Sequence, residues 1–307
     1  MKEYAVQGHE PSLLPVEGYK LTWSDEFDGT ELDTTKWEFR SAMTGQKWPS
    51  WTDSKESLYL DGESHAVFTL IRDEKDGHLC CAHLQTGANP CDEPLANNRT
   101  DQGDGVSKTL DNMYWRFGKL HEHKKLFKYG YFECRCFLQQ KPGWWSAFWM
   151  QSPTIGTSLD AKTSGSEVDI LESFVPGTMN WNNVFCAGYG VDGRRTKLGP
   201  DGQVLEGQLC KINRSSTIAP TRTPIDHSQW HRFGLLWEKD KYTFFVDGKK
   251  TCETTNDVSA VPEFLLISTE VYGYRKEGHQ PIEEAYGSVG DHFIVDYVRV
   301  FQKEDEQ

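Results

Sequence analysis

Ser166-Glu-Val-Asp-Ile-Leu-Glu-Ser173 sets three acids into an apolar run that continues to Phe174, Val175 and Pro176. Burying ionised carboxylates is costly unless something compensates, so acids in such a run suggest a shared purpose. Strand alternation puts Glu167 and Asp169 on one face, with Val168 and Ile170 on the other. Glu172 then falls on the wrong parity. One inserted residue near Ile170-Leu171, a β-bulge, returns it to the acidic face. Three carboxyl groups would then line one side of one strand. That is what retaining cleavage of a glycosidic bond requires, with two carboxyls about 5–5.5 Å apart. In a straight strand the Cα atoms of Glu167 and Glu172 lie on the order of 16 Å apart, so bulge, twist and side-chain lean must close the gap. The competing reading is an edge strand whose acids face water, the usual place for Asp and Glu.

The rest of the chain suits a β-rich host for that strand. At 307 residues it can bury a large core, and 11 Trp, 12 Tyr and 16 Phe exclude a disordered composition. No apolar run reaches the roughly 20 residues of a membrane helix, and Met1-Lys-Glu-Tyr lacks the start of a signal peptide. A net charge of -13 argues against nucleic acid as a partner. It also disfavours polyanionic substrates, unless a local basic groove overrides it. The eight cysteines show no CxxC pair with zinc spacing and read as mostly reduced, buried thiols.

Residues 1–17 read as an arm, 18–303 as one domain and 304–307 as a tail. Alternation predicts a short strand from Leu21 running into a turn at Asp28-Gly29, two strands within Leu58–Ile71 joined at Asp61-Gly62, and strands around Leu79–Leu84, Leu126–Leu138, Trp144–Met150, Trp230–Trp237, Lys241–Val246, Phe264–Thr269 and Phe293–Phe301. Helix-length amphipathic stretches are scarce. The fold class is therefore all-β, a β-sandwich of jelly-roll type. On the strand Trp144–Met150, Trp145, Ala147 and Trp149 share a face, and flat indoles there suit a sugar ring as well as a core. On Leu126–Leu138, Tyr131, Glu133 and Arg135 share a face that suits a wet groove or a solvated surface.

Taken in order over about residues 20–302, the chain resembles glycoside hydrolase family 16, the group of laminarinases, lichenases, agarases and carrageenases. The resemblance rests on Trp23-Ser-Asp-Glu-Phe-Asp-Gly29, Tyr129-Gly-Tyr-Phe-Glu-Cys-Arg135, Trp145-Ser-Ala-Phe-Trp-Met150, Glu167-Val-Asp-Ile-Leu-Glu172, Phe245-Val-Asp-Gly248 and Val295-Asp-Tyr-Val-Arg-Val300. The spacing of its acids matches the bulged form of the family motif. The resemblance implies two bent antiparallel sheets with an open cleft, and endo-acting hydrolysis with retention. It implies that Glu167 is the nucleophile, Glu172 the acid/base, and Asp169 the group that tunes their charge. By the same resemblance Trp145, Trp149, Glu133, Arg135 and Trp237 contact substrate, as weaker candidates do Trp115 and Trp181. Glu26 and Asp296 match ligands of a structural calcium that the family often carries, and no cofactor is expected for catalysis. Relatives often place a His or Asn on the strand after the acids, where Val184-Phe-Cys-Ala-Gly-Tyr189 offers none.

The expected activity is an endo-glucanase acting on β-1,3- or mixed β-1,3/1,4-glucan. The alternatives are a β-galactan hydrolase of agarase, porphyranase, carrageenase or endo-galactanase type, and a non-catalytic glucan-binding protein. Arg116, Lys124, Lys125, Arg194 and Arg195 would serve sulfate groups in the galactan case and are solvated charges otherwise. Retention of all three acids disfavours the binding protein, and transglycosylation shares the hydrolytic intermediate. The partner is a polysaccharide or oligosaccharide, with neither nucleic acid nor membrane expected and a monomeric state. The family resemblance implies secretion or a cell-surface location, although no leader is visible.

Overall fold

A computed structural model describes residues 2–43, 46–88, 123–155, 160–174, 176–177, 179–187, 196–198, 204–209, 213–216, 222–275 and 280–303. Two antiparallel eight-stranded sheets form the sandwich. The first, here the acidic sheet, runs Asn213–Ser216, Met179–Ala187, Glu167–Ser173, Trp144–Gln151, Phe264–Val271, His83–Gln85 and Glu38–Phe39, with Arg222–Pro224 also paired to Met179–Ala187. The second runs Lys249–Thr254, Lys241–Val246, Trp230–Glu238, Gly130–Phe137, His292–Gln302, Ala66–Thr69 and Leu58–Leu60, with Lys20–Asp25 on the far part of His292–Gln302. This is the jelly-roll sandwich expected from the alternating strands. Among the described residues helix is confined to single turns, Ala161–Ser164 and Glu283–Tyr286.

Period-two alternation decides which residues meet between the sheets. Trp144, Phe148, Met150, Val168, Leu265 and Ile267 face inward from the acidic sheet. Phe132, Cys134, Cys136, Phe233, Leu235 and Trp237 answer from the second. The strand Trp144–Gln151 therefore splits as expected, with Trp145 and Trp149 left on the acidic face. Among the described residues six cysteines are free, and all but the half-buried Cys252 are buried. Cys91 and Cys210 lie outside the described residues.

The outer face of the second sheet departs from the sequence reading. Within the stretch read as an arm, Lys2–Val6 and His9–Leu14 form an antiparallel hairpin. Leu14 packs with Tyr131, Leu236, Phe245 and Phe301, and Tyr4 and Leu21 close the cluster. Glu133 lies beneath this hairpin and is fully buried. Its carboxylate accepts from Tyr297 Oη (2.8 Å), Tyr131 Oη (3.1 Å) and the Leu13 amide (3.2 Å). Arg135 pairs with Asp296 at 2.5 Å and stacks 4.6 Å over Trp230. The face is thus neither a wet groove nor a solvated surface but a covered, hydrogen-bonded layer. Glu133 and Arg135 are structural, because alternation tells which residues share a face but not what lies on it.

Trp237 is corrected for the opposite reason. It points between the sheets, fully buried against Phe132 and Tyr242, and its indole N–H donates to Ser259 O at 3.1 Å. Glu26 and Asp296 do not converge on a cation either. Arg299, itself fully buried, grips Glu26 through Nε (3.0 Å) and Nη2 (2.7 Å), and Arg135 holds Asp296. Carboxylates already committed to guanidinium groups do not fit the oxygen cage of one shared calcium ion. Among the described residues no group of three or more His, Cys, Asp or Glu side chains is arranged to hold a metal.

Glu133→Ala should therefore cost about 3 kcal/mol of stability, since it strands two buried phenols and an amide. Denaturant melts of the variant would measure that loss, with KM for oligosaccharide unchanged. Unaltered stability with a raised KM would instead restore Glu133 to the substrate.

Candidate active site

The register around the acidic strand shows how the three carboxylates come to one face. Against Trp144–Gln151, Trp149 pairs with Asp169 but Phe148 pairs with Leu171, so Ile170 is an extra residue. Against Met179–Ala187, Asp169 pairs with Asn183 and Glu172 with Trp181, again one residue too many on the acidic strand. As a result Ile170 and Leu171, neighbours in sequence, both point into the core, 1% and 0% exposed. Glu167 and Glu172 are half-buried and Asp169 is 4% exposed, all on the opposite side.

A bulge leaves backbone groups without a ladder partner, and these need other ones. Two inward-pointing asparagines of the next strand supply them. Asn182 Nδ2 donates to the carbonyls of Ile170 (2.7 Å) and Asp169 (3.2 Å). Asn180 Oδ1 accepts the Glu172 amide (3.2 Å). Asn183, on the other parity, hydrogen-bonds the Asp169 side chain from the acidic face. The polar neighbour expected after the acids is therefore present, just before the Val184–Tyr189 stretch. Its signal was Asn180-Trp-Asn-Asn183, polar residues on both parities of a strand.

Both ends of the acidic strand are anchored. At the start, the Ser166 amide donates to buried Glu263 Oε1 at 2.9 Å. Gly165 has φ +76°, and a Cβ there would collide with Ser152, so glycine is required. Gln151 Nε2 donates to Glu167 Oε2 at 2.7 Å, which supports the ionised form of Glu167. At the end, Ser173 Oγ meets His227 Nε2 at 3.1 Å, and Gln139 Nε2 donates to Ser173 O at 2.7 Å.

Aromatic rings wall the acids on two sides. Trp145 lies 4.6 Å from Tyr272 and 5.9 Å from Phe174, whose ring meets Trp181 at 5.6 Å. Trp181 pairs directly across from Glu172, with the Arg222 guanidinium 3.9 Å over its ring. On the other side Trp149 donates through Nε1 to Ser268 Oγ (2.9 Å), with His83 at 5.7 Å and Arg40 at 5.4 Å. The sequence candidates Trp145, Trp149 and Trp181 thus share the face of Glu167, Asp169 and Glu172. Trp115, Arg116, Arg194 and Arg195 lie outside the described residues.

Electrostatics separates the acids. Burial, then the charges of Glu172 and Glu167, hold Asp169 well above the usual carboxylate range. Burial and the neighbouring Glu167 lift Glu172 to about 8, while Arg275 opposes the shift. Glu172 is thus protonated at neutral pH beside other acids, as a proton donor must be. His83, buried with neither ring nitrogen hydrogen-bonded, is kept neutral by burial and then by Arg40 and Arg275. Missed by the sequence reading were Asn183, Gln151 and the Arg275–Glu270 pair, none of which lies in a recognisable motif.

A jelly roll with three acids on one face, flanked by tryptophans, is the framework of a glycosidase. The family model for glycosyl hydrolases family 16 matches residues 93–271, more than half of the chain, and the protein belongs to that family. Among curated relatives, Glucan endo-1,3-beta-glucosidase A1 of Niallia circulans is 24% identical over 315 residues, covering 96% of this chain and 39% of that protein. The chain thus spans well under half of that relative. Beta-porphyranase B of Phocaeicola plebeius is 24% identical over 300 residues, covering 90% of this chain and 84% of that protein. Among solved structures, the laminarinase of Rhodothermus marinus aligns with TM-score 0.58 at 21% identity, over 92% of this chain and 97% of that one. The laminarinase of Flavobacterium sp. UMI-01 aligns with TM-score 0.56 at 22% identity, over 92% and 100%. These alignments support the fold.

A carboxyl whose folded value exceeds its unfolded one binds the extra proton only when folded. Stability from Glu172 is then complete below about pH 4.5 and is lost as pH rises through about 8. Glu172→Gln should be more stable than the parent at pH 8, on the order of 3 kcal/mol, and equal to it near pH 4.5. Thermal melts across that range would show the gap opening with pH; a constant gap would mean Glu172 does not titrate there.

Proposed function

We propose that the protein is an endo-acting, retaining β-glycan hydrolase whose favoured backbone is β-1,3- or mixed β-1,3/1,4-glucan. The observation that carries this reading is the extra residue at Ile170, which turns Glu167, Asp169 and Glu172 to one face between tryptophans. Glu167 attacks the anomeric carbon as the glycosidic C–O bond breaks, and Glu172 gives its proton to the leaving oxygen. A glycosyl ester on Glu167 results. Glu172, now a carboxylate, takes a proton from water, the water oxygen attacks the same carbon, and Glu167 leaves. Two inversions give net retention. Burial and then the neighbouring carboxylates disfavour ionisation of Asp169, which keeps the charge on the strand low beside the nucleophile Glu167.

Trp145, Trp149 and Trp181 serve as platforms for the sugar rings on either side of the bond. The glucan preference draws on the similarity to an endo-1,3-β-glucosidase. A β-galactan substrate is the second reading, favoured by the similarity to a β-porphyranase and by guanidinium groups over Trp149 and Trp181. No helix among the described residues is long and apolar enough to cross a membrane.

Glu167→Gln should lower kcat by at least about 10³-fold with the melting temperature preserved. Glu172→Ala should regain turnover with azide on an aryl glycoside whose leaving group needs no proton, giving a glycosyl azide of retained configuration. Product sizing on laminarin, lichenan, agarose, porphyran, carrageenans and β-galactan separates the readings. Short laminari-oligosaccharides support the glucan, and cleavage confined to galactans supports the second. Binding without any product contradicts both.

A further inference from the structure

The acidic face carries one more buried carboxylate that the proposed chemistry does not use. Glu270, 3% exposed, pairs across from Trp145 on the strand Phe264–Val271. Arg275, from the turn after that strand, grips it twice, Nε to Oε1 at 2.8 Å and Nη2 to Oε2 at 2.5 Å. The guanidinium also lies 5.3 Å from the centre of the Trp145 ring. A two-pronged carboxylate contact fixes the plane of the guanidinium as well as its position. Its side chain is nonetheless 55% exposed, so one side is covered by Glu270 and Trp145 and the other is open. On the same face Ala147, two residues along from Trp145, pairs across from Glu172, and the Arg275 charge favours the ionised forms of Asp169 and Glu172.

We propose that Arg275 is a positioning residue for the acid/base: pinned by Glu270 and Trp145, it stabilises the anion that Glu172 becomes when its proton leaves. This rests on reading Glu172 as the proton donor. In the first half-reaction Glu172 acquires a negative charge beside other acids, and a fixed cation nearby offsets that cost. In the second half-reaction Glu172 must recover a proton, so a cation held too close would slow it. Glu270 meets both needs, because it fixes Arg275 in place and cancels part of its charge.

Among the described residues the groups on the face of Glu172 are Glu167 and Asp169 of its own strand and Asn183 and Trp181 of Met179–Ala187, with Arg222 beyond Trp181. Glu270, Tyr272 and Arg275 come from Phe264–Val271 and the turn that follows, and neutral His83 from the strand beyond. Removing Arg275 or Glu270 therefore changes this balance in opposite senses. That sign reversal is something a merely structural pair would not produce.

The test is kcat/KM against pH for the parent, Arg275→Gln, Glu270→Gln and Arg275→Lys, together with a carbon-13 titration of the Glu172 carboxyl assigned through Glu172→Gln. Loss of the cation should move the alkaline limb up, so the ratio of kcat/KM at pH 9 to pH 6 rises about threefold in Arg275→Gln. Loss of the anion should move it down, and the ratio falls about threefold in Glu270→Gln. Arg275→Lys keeps the charge without the fork, so its limb stays near the parent's while kcat falls. If Arg275→Gln does not fold, the other two variants carry the test. A Glu172 titration unmoved in every variant, or displaced in the same sense by both charge removals, overturns the inference. A Glu172 titration displaced in opposite senses beneath an unmoved limb removes Glu172 from the proton-donor role, and overturns the inference through the reading on which it rests.

Discussion

One surplus residue in one strand governs the chemistry available to this protein. Without Ile170 as a bulge, strict alternation would send Glu172 into the apolar layer between the sheets. With it, two consecutive aliphatic side chains enter the core and three carboxyls leave it. The bulge persists because Asn180 and Asn182 occupy inward positions that a sandwich would otherwise fill with aliphatics, and they take up the backbone groups released from the ladder. Local disorder of the ladder is thus converted into a fixed geometry.

Crowding three acids onto one face destabilises the fold at neutral and alkaline pH, and the sandwich absorbs that cost elsewhere. Large aromatic and aliphatic side chains fill the space between the sheets. On the far side the amino-terminal hairpin seals a layer in which Glu133, Tyr131, Tyr297, Arg299 and Glu26 satisfy one another. Buried charges of that kind are tolerated because each has partners with good geometry, and each becomes a liability once a partner is removed. The two faces of the molecule use the same residue types in opposite ways. Acids on the far side are paired with arginines or hydrogen-bonded by phenols, whereas those on the acidic strand are left short of cations, which favours the protonated forms of Asp169 and Glu172.

The strands, their inner faces and the bulge were legible in the sequence because each depends on local parity. Val168, Ile170, Phe148 and Met150 could be assigned inward from spacing alone, and Leu171 once the bulge is placed. What lies across a face depends on long-range docking, and there the sequence misled. Glu133 and Arg135 alternate as a groove-lining pair would, yet a hairpin some 120 residues earlier in the chain covers Glu133. Trp237, which the family resemblance implied for the cleft, has the environment of a core residue. Arg275 and Gln151 reach the acids from separate segments, and nothing in their own neighbourhood marks them. Asn180 and Asn182 were the readable signal that was overlooked, since polar residues at inward positions imply a backbone in need of partners.

The central claim is that Glu167 and Glu172 act on the same sugar linkage from one face of one strand. The most direct measurement is peptide mass spectrometry of the protein inactivated with a 2-deoxy-2-fluoro glycoside bearing a good leaving group and a matching β-linked oligosaccharide. The account predicts one fluoroglycosyl group per chain, carried on Glu167 in the peptide spanning the acidic strand. Stoichiometric labelling at any other carboxylate, or turnover that proceeds with no trapped ester, would contradict it.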